Sequence, residues 1–430
     1  MIQEQQLSEM NPVMTMWRRR IFASTWLCYV GLYFCRKPFY IAKKDLGDAM
    51  AWSASDLGLI GSAYLVAYAV GQFLAGSAGT KFGARRLLIG GMGVSLIANI
   101  AFGITNDLPT FILFMVINGL AQATGWAGTV STMANWFRRS ERGTVMGLWA
   151  TCFQVGGVLA NGLAAFALGK WGFQYSFFGG SCALFLIIIF FVFNQRNAPE
   201  DVGLELADPD TSPDPTDVSQ ATGGWMQRIG WNQTILNTVL LVGCFYFFVK
   251  FIRYALWSWV PYFLGTNYAL KGDEAGYIST LFDLFGIAGC IAAGYLSDKY
   301  FNGRRAKISF YFLIAMGGAC LLMYFLGQVT LTLFAISIAL VGFTLYGPDA
   351  LMTGAAAQDI GGRGTALAAG IINGMGSIGA VVQEFVISAM FESSGGDLGP
   401  VFGLLVGASV GAIFALGLVL WRNRIGISDV

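Results

Sequence analysis

The stretch Tyr33-Phe34-Cys35-Arg36-Lys37-Pro38-Phe39-Tyr40 sets two adjacent cations inside a long apolar segment, residues 21–42. A cation at the bilayer centre costs ~2.5–3.5 kcal/mol on insertion scales, and such residues face a bundle interior or a water-filled cavity. Helical spacing puts Tyr29, Tyr33, Arg36 and Tyr40 on one face, at steps of four, three and four. That face offers fixed positive charge ringed by phenol hydroxyls, which suits an anion. The planar fork of arginine can take two phosphate oxygens at once, and lysine adds a compact charge. Pro38 removes a backbone donor and can kink the helix beside the charges. A bland alternative holds for Lys37, whose stem could snorkel to the interface. It is weaker for Arg36, because the other half of the chain carries its own intramembrane cations, Lys250 and Arg253.

The elements that position these residues follow from composition. Of 430 residues 56% are hydrophobic and only 12% are charged, against about 25% charged in soluble domains. The apolar runs are about 20 residues long without alternation, which selects membrane-spanning helices over a β-barrel. The polar N-terminus and the lack of a cleavage site predict no signal peptide. All seven cysteines fall in apolar segments without paired spacing and read as small buried hydrophobes. Histidine is absent, so no imidazole can carry a proton or a metal. No cofactor, metal or nucleic acid is expected, and no phosphate-binding glycine loop with lysine suggests an enzyme.

Twelve spans are predicted, at residues 21–42, 54–78, 87–105, 110–134, 143–167, 173–194, 234–263, 275–297, 307–327, 330–352, 365–390 and 400–421. With Arg18-Arg19-Arg20 placed in the cytoplasm, eighteen of the 26 Lys and Arg fall in cytoplasmic segments. Lys43, Lys44, Lys170 and Lys271 fall opposite, and Arg36, Lys37, Lys250 and Arg253 lie within spans. The positive-inside rule then sets both termini in the cytoplasm. The loop from Asn197 to Gln233, with four prolines and seven acids between Glu200 and Asp217, reads as an irregular tether. The expected domains are therefore residues 1–197, a linker 198–233 and residues 234–430.

The halves repeat. Gly76 and Gly294 open similar basic loops 218 positions apart (294 − 76), and Arg142-Gly143-Thr144 and Arg363-Gly364-Thr365 are 221 apart (363 − 142). Arg36 and Arg253 are 217 apart (253 − 36). Parallel repeats of this kind place a substrate site near the midplane, with Arg36 and Arg253 expected to face each other across it.

These features resemble the major facilitator superfamily, and particular segments are similar to its organophosphate:phosphate antiporters. They are Tyr33-Phe-Cys-Arg36-Lys37-Pro38, Asn118-Gly-Leu-Ala-Gln-Ala-Thr-Gly-Trp126, Asn135-Trp-Phe-Arg-Arg-Ser-Glu-Arg-Gly143, Ala198-Pro-Glu-Asp-Val202, Ser279-Thr-Leu-Phe-Asp283, Tyr346-Gly-Pro348 and Gly374-Met-Gly-Ser-Ile-Gly379. The first, second and fifth are most similar to the sugar-phosphate exchanger branch. The resemblance implies an all-α membrane protein of twelve transmembrane helices in two pseudo-symmetric six-helix bundles. It implies alternating-access exchange of a sugar phosphate or related phosphate ester for inorganic phosphate. It puts the phosphate on Arg36, with Lys250 or Arg253 as the partner cation. Lys250 resembles the sugar-phosphate exchanger pattern, and Arg253 with Tyr254 resembles the glycerol-phosphate transporters. Where glycerol-phosphate transporters have a span-5 histidine and a span-2 lysine, this chain has Phe153 and Gln72.

On helical faces shared with these cations, Tyr33, Tyr64, Tyr68 and Tyr246 could supply hydrogen bonds. Trp126, with Lys37 and Gln72, completes the candidate binding set, and Trp149 is open between packing and lining. Phe245, Phe247, Phe248 and Phe251 read as packing residues. Against four cations the spans offer Asp283, Asp349 and Glu384. Asp283 reads as a salt bridge to Lys37 or Lys250, or as a proton-coupling group; Glu384 reads as cavity-facing or near the outer end; Asp349 has a helix-end role. Excess positive charge favours an anionic substrate and makes an empty site costly, which fits exchange. Two alternatives stay open: a proton-coupled organic-anion symporter, and a membrane sensor that binds a sugar phosphate. The chain is expected to be a monomer in a bilayer. The sequon Asn232-Gln-Thr234 on the cytoplasmic side and the lack of a retention signal favour a bacterial cytoplasmic membrane.

Overall fold

The computed structural model describes residues 12–137, 145–146, 148–204, 231–301, 305–352 and 365–426. Arg142-Gly143-Thr144, Arg363-Gly364 and most of the 198–233 linker lie outside the described residues. Among the described residues the chain is helical and holds no strand. Eleven helices among the described residues are long and apolar enough to cross a membrane. A 22-residue helix such as Phe173–Asn194 is about 33 Å long, matching a hydrocarbon core of ~30 Å. The twelfth span is the first, and it is interrupted: α1 (Pro12–Phe34) stops and α2 (Lys37–Ile41) resumes. The continuous helix expected over 21–42 is thus two pieces. A short α3 (Lys43–Met50) leads into α4 (Ala54–Phe82), α5 (Ala84–Ile104), α6 (Leu108–Trp136), α7 (Cys152–Trp171) and α8 (Phe173–Asn194). After the linker come α9 (Gln233–Asn267), α10 (Gly272–Tyr300), α11 (Arg305–Leu326), α12 (Leu331–Ala350), α13 (Thr365–Ser393) and α14 (Gly399–Arg424).

Helix starts follow local chemistry. Asp107 caps α6 by accepting the Thr110 N–H, with Pro109 in the first turn, where its missing N–H costs nothing. Asn232 caps α9 through Ile235 N–H, and Thr330 caps α12 through Leu333 N–H. Large apolar side chains stand outward, including Phe193 at 71% and Ile104 at 69% exposure. In water such patches would be a liability; in a bilayer they are the solvated surface. Cys182 shares that exposed position on α8, so it is not the buried hydrophobe expected.

The chain divides into two compact units, Met1–Phe39 with Val66–Ser212, and Tyr40–Leu65 with Pro213–Val430. In the first, α5 packs on α6, and α8 packs on α1, α5 and α7. Its core includes Cys28, Leu32, Cys35, Leu88, Met92, Leu184 and Phe191. In the second, α9 packs on α13 and α14, and α10 on α12. Phe245 and Phe251 are buried in that core, and the rings of Phe247 and Phe248 pack edge to face. Residues 40–65, which chain position puts in the first bundle, have their contacts in the second unit, where α3 packs on α9.

Candidate functional site

In the first unit the site is built on the break in the first span. Past Phe34 the backbone is carried by tight turns, Cys35 N–H to Leu32 O (3.2 Å) and Arg36 N–H to Tyr33 O (3.1 Å). Pro38, in the first turn of α2, has no N–H with which to continue the α1 ladder. Gly180 of α8 abuts the break so closely that a Cβ there would lie 2.0 Å from the Phe34 carbonyl oxygen. The break corrects the single face expected for Tyr29, Tyr33, Arg36 and Tyr40. Tyr40 turns away and packs on Trp257 at 4.6 Å, both in the second unit, while Tyr29 and Tyr33 stay with Arg36.

Arg36 is buried and oriented by neutral groups. Its Nε donates to Gln122 Oε1 at 2.8 Å. Its guanidinium carbon lies 5.1 Å from the Tyr33 ring centre and 4.9 Å from that of Tyr68, within cation–π range. Gln122 is fixed in turn, its amide nitrogen donating to Ser95 Oγ and Asn118 Oδ1, each at 3.2 Å. Ser95 donates to Asn118 Oδ1 at 2.6 Å, and Asn118 donates to the Cys35 carbonyl at 2.9 Å, satisfying an acceptor exposed by the break. Lys37 is buried at the start of α2, and Gln72 is half-buried on α4. Tyr64 is buried on α4 in the part that belongs to the second unit.

The second unit holds its two cations differently. Lys250 Nζ donates to Asn373 Oδ1 at 2.7 Å and to Ser377 Oγ at 3.4 Å, and stands 4.9 Å from the Tyr246 ring centre. Asn373 and Ser377 are one turn apart on α13. Gly376 between them clears the way, since a Cβ there would lie 2.9 Å from Lys250 Cδ and 2.5 Å from the Tyr246 ring. Among the described residues no carboxylate is within ion-pair distance of Lys250. Arg253 is paired: Nη1 donates to Asp349 Oδ2 at 2.7 Å, and its guanidinium lies 4.7 Å from the Tyr346 ring centre. The Tyr346 hydroxyl donates to Asp283 Oδ1 at 2.6 Å. Of the two partners expected for Asp283, Lys37 or Lys250, Lys250 is instead held by Asn373 and Ser377, and Asp283 accepts from the Tyr346 hydroxyl. Asp349 does more than end a helix, because it neutralises Arg253.

Glu384 is claimed by a residue expected in an outward loop. Lys43 Nζ lies 3.1 Å from Glu384 Oε2, donates to Ser258 Oγ at 3.0 Å and sits 3.4 Å from the Trp259 ring centre. Both charges are fully buried, and burial at that depth demands such a partner. Sequence reasoning missed this pair, the Asp349–Arg253 pair, and the Ser95, Asn118, Gln122, Asn373 and Ser377 supports. One signal was readable: Asn118, Gln122 and Trp126 repeat at four-residue steps within an apolar span. Among the described residues no cluster of His, Cys, Asp and Glu could hold a metal.

Helices long enough to span lipid, with buried cations held by amides, hydroxyls, phenol rings and carboxylates, define a polytopic membrane protein. The Major Facilitator Superfamily profile matches residues 25–383. The chain belongs to that superfamily and, within it, to the organophosphate:phosphate antiporter family. It is 31% identical to sugar phosphate exchanger 3 of Xenopus laevis, over 78% of this chain and 74% of that protein. It is 29% identical to glucose-6-phosphate exchanger SLC37A2 of Xenopus tropicalis, over 95% and 93%. Among solved structures, a bacterial homologue of the human lysosomal transporter Spinster shares the fold, with a TM-score of 0.71 over 97% of both chains at 14% identity.

Proposed function

We propose that this protein carries a phosphorylated small metabolite, a sugar phosphate or related ester, across a membrane in exchange for inorganic phosphate. The observation that carries the reading is that, among the described residues, Lys250 is supported by the neutral groups of Asn373, Ser377 and Tyr246, beside an Arg253 already paired with Asp349. In the second unit the charge left to meet an anion is Lys250. In the first, Arg36 is aimed by Gln122 and presents its fork. Charge-assisted bonds from such groups to phosphate are the strong kind. A desolvated cation without its anion is costly, which supports replacement of one phosphate-bearing ligand by another. The names of the relatives, sugar phosphate and glucose-6-phosphate exchangers, agree with this substrate class.

Labelled phosphate uptake into proteoliposomes preloaded with phosphate or a phosphate ester tests the reading. Uptake that requires the internal anion is the expected result. Uptake driven by a pH gradient into phosphate-free liposomes would instead establish proton-coupled symport. Ligand binding without exchange would point to a sensor.

A further inference from the structure

The basic loop opened by Gly76 ends in two arginines that the proposed function does not use, and their settings differ. Arg85 turns into the bundle: its Nη2 donates to the Val192 carbonyl at 2.6 Å, and its backbone N–H donates to Asn197 Oδ1 at 2.7 Å. Arg86 is exposed, and among the described residues its guanidinium has no ion-pair or hydrogen-bond partner.

Arg86 stands at one end of a crevice of about 540 Å³. Phe82 of α4, Gly90 and Val94 of α5, and Ile117 and Leu120 of α6 line its walls. Glycine shapes it. A Cβ at Gly90 would meet nothing within 4 Å, so the missing side chain leaves open space. A Cβ at Gly91 would lie 2.8 Å from the Ala121 carbonyl oxygen, so there α5 and α6 close the floor. Thr124, on the same lining, spends its hydroxyl on the Ala121 carbonyl at 2.7 Å. Among the described residues the lining therefore carries one charge, at one end, and otherwise apolar surface.

The crevice has the dimensions of a lipid tail. From Arg86 to Val94 is about 12 Å along the helix, close to the ~15 Å hydrocarbon depth of one leaflet. Phe82 and Val94 are 55% and 43% exposed, so the walls open onto exposed apolar surface of a membrane-length helix. Gly83 gives α5 no side-chain cap, so the positive end of the helix dipole adds to the guanidinium. A free phosphate ion would use that charge and leave the apolar walls empty. A zwitterionic lipid would fill the walls but bring its own cation to Arg86.

We propose that the crevice holds an acyl chain of an anionic phospholipid, with the lipid phosphate on Arg86. The site is separate from the Arg36 and Lys250 clusters and does not depend on which substrate they carry.

The test is photolabelling of the full chain in phosphatidylcholine vesicles containing a trace of phosphatidylglycerol, or of phosphatidylcholine, with a diazirine in the acyl chain. Adducts on residues 82–94 and 117–124, mapped by peptide mass spectrometry, are compared with adducts on α11 in the same sample. In wild type the phosphatidylglycerol probe should label the crevice about fivefold more than the phosphatidylcholine probe. Arg86→Gln should erase that ratio, and Gly90→Leu, which fills the open space, should remove crevice labelling by both probes. Gly93→Leu should change neither, because Gly93 also faces open space but does not line the crevice. Equal labelling by the two probes in wild type, a ratio that survives Arg86→Gln, or labelling that survives Gly90→Leu would overturn the proposal. So would loss in Gly93→Leu equal to that in Gly90→Leu. Removal of the phosphatidylglycerol excess by inorganic phosphate at constant ionic strength would overturn it too, and would assign Arg86 to a free anion.

Discussion

The Arg36 cluster of the first unit and the Lys250–Arg253 cluster of the second begin from one repeated position and end differently. Arg36 and Arg253 are 217 residues apart, at nearly the offset of the other duplicated motifs. Arg36 is aimed by the neutral amide of Gln122. Arg253 is tied to the Asp349 carboxylate, and Lys250, one turn earlier, takes the amide-and-hydroxyl support. An amide does not cancel an arginine's charge, whereas a carboxylate does. The two repeated positions thus carry the same residue in different settings, and the proposed function assigns the phosphate in the second unit to Lys250, three residues earlier.

That contrast can be attacked at its strongest point first. Arg36→Ala should abolish phosphate exchange, and Arg36→Lys, which keeps charge but loses the fork, should weaken phosphate binding by about 1.5–3 kcal/mol, about one to two decades. Full activity of Arg36→Ala in proteoliposomes would remove the first cluster from the site.

Next comes the division of labour in the second unit. Lys250→Ala should reduce apparent phosphate affinity by about one to two decades. Arg253→Ala alone should lower thermal stability, because it removes the cation that neutralises the Asp349 carboxylate, and the double change with Asp349→Ala should recover stability and most phosphate exchange. If the double variant loses phosphate affinity as far as Lys250→Ala does, Arg253 also meets the anion.

The smallest effects sharpen the comparison. Gln122→Glu converts the Arg36 setting into that of Arg253, and competition from the new carboxylate should weaken phosphate binding about tenfold. Gln122→Leu removes one aiming bond, worth about 0.5–1.5 kcal/mol. A Gln122→Glu protein that binds phosphate as tightly as wild type would show that a neutral partner is not what keeps Arg36 available.

Span lengths, polytopic class and the buried position of Arg36 were legible in the sequence, because they depend on local hydropathy and on the cost of charge in lipid. Three features were not. Ion pairs such as Arg253–Asp349, 96 residues apart, carry no periodic signal. The break after Phe34 moved Tyr40 off its expected face, since one proline predicts a kink but not where the chain goes afterwards. Lys43 looked like a loop lysine because charge rules count residues by side of the membrane and ignore which ones acquire buried partners. The polar steps Asn118 and Gln122 were visible, but their service to Arg36 needed the packing of α1, α5 and α6.

The Lys43–Glu384 pair also has a meaning in time. Its members are 341 residues apart in the chain, so at about 5–20 residues per second the carboxylate leaves the ribosome roughly 17–70 s after the ammonium. During that interval a growing chain carries a lysine destined for a dry site without its counter-charge, on a segment whose contacts are with parts not yet made. A product truncated before α13 never resolves that charge. The pair is thus a contact that only a polypeptide made through α13 can form.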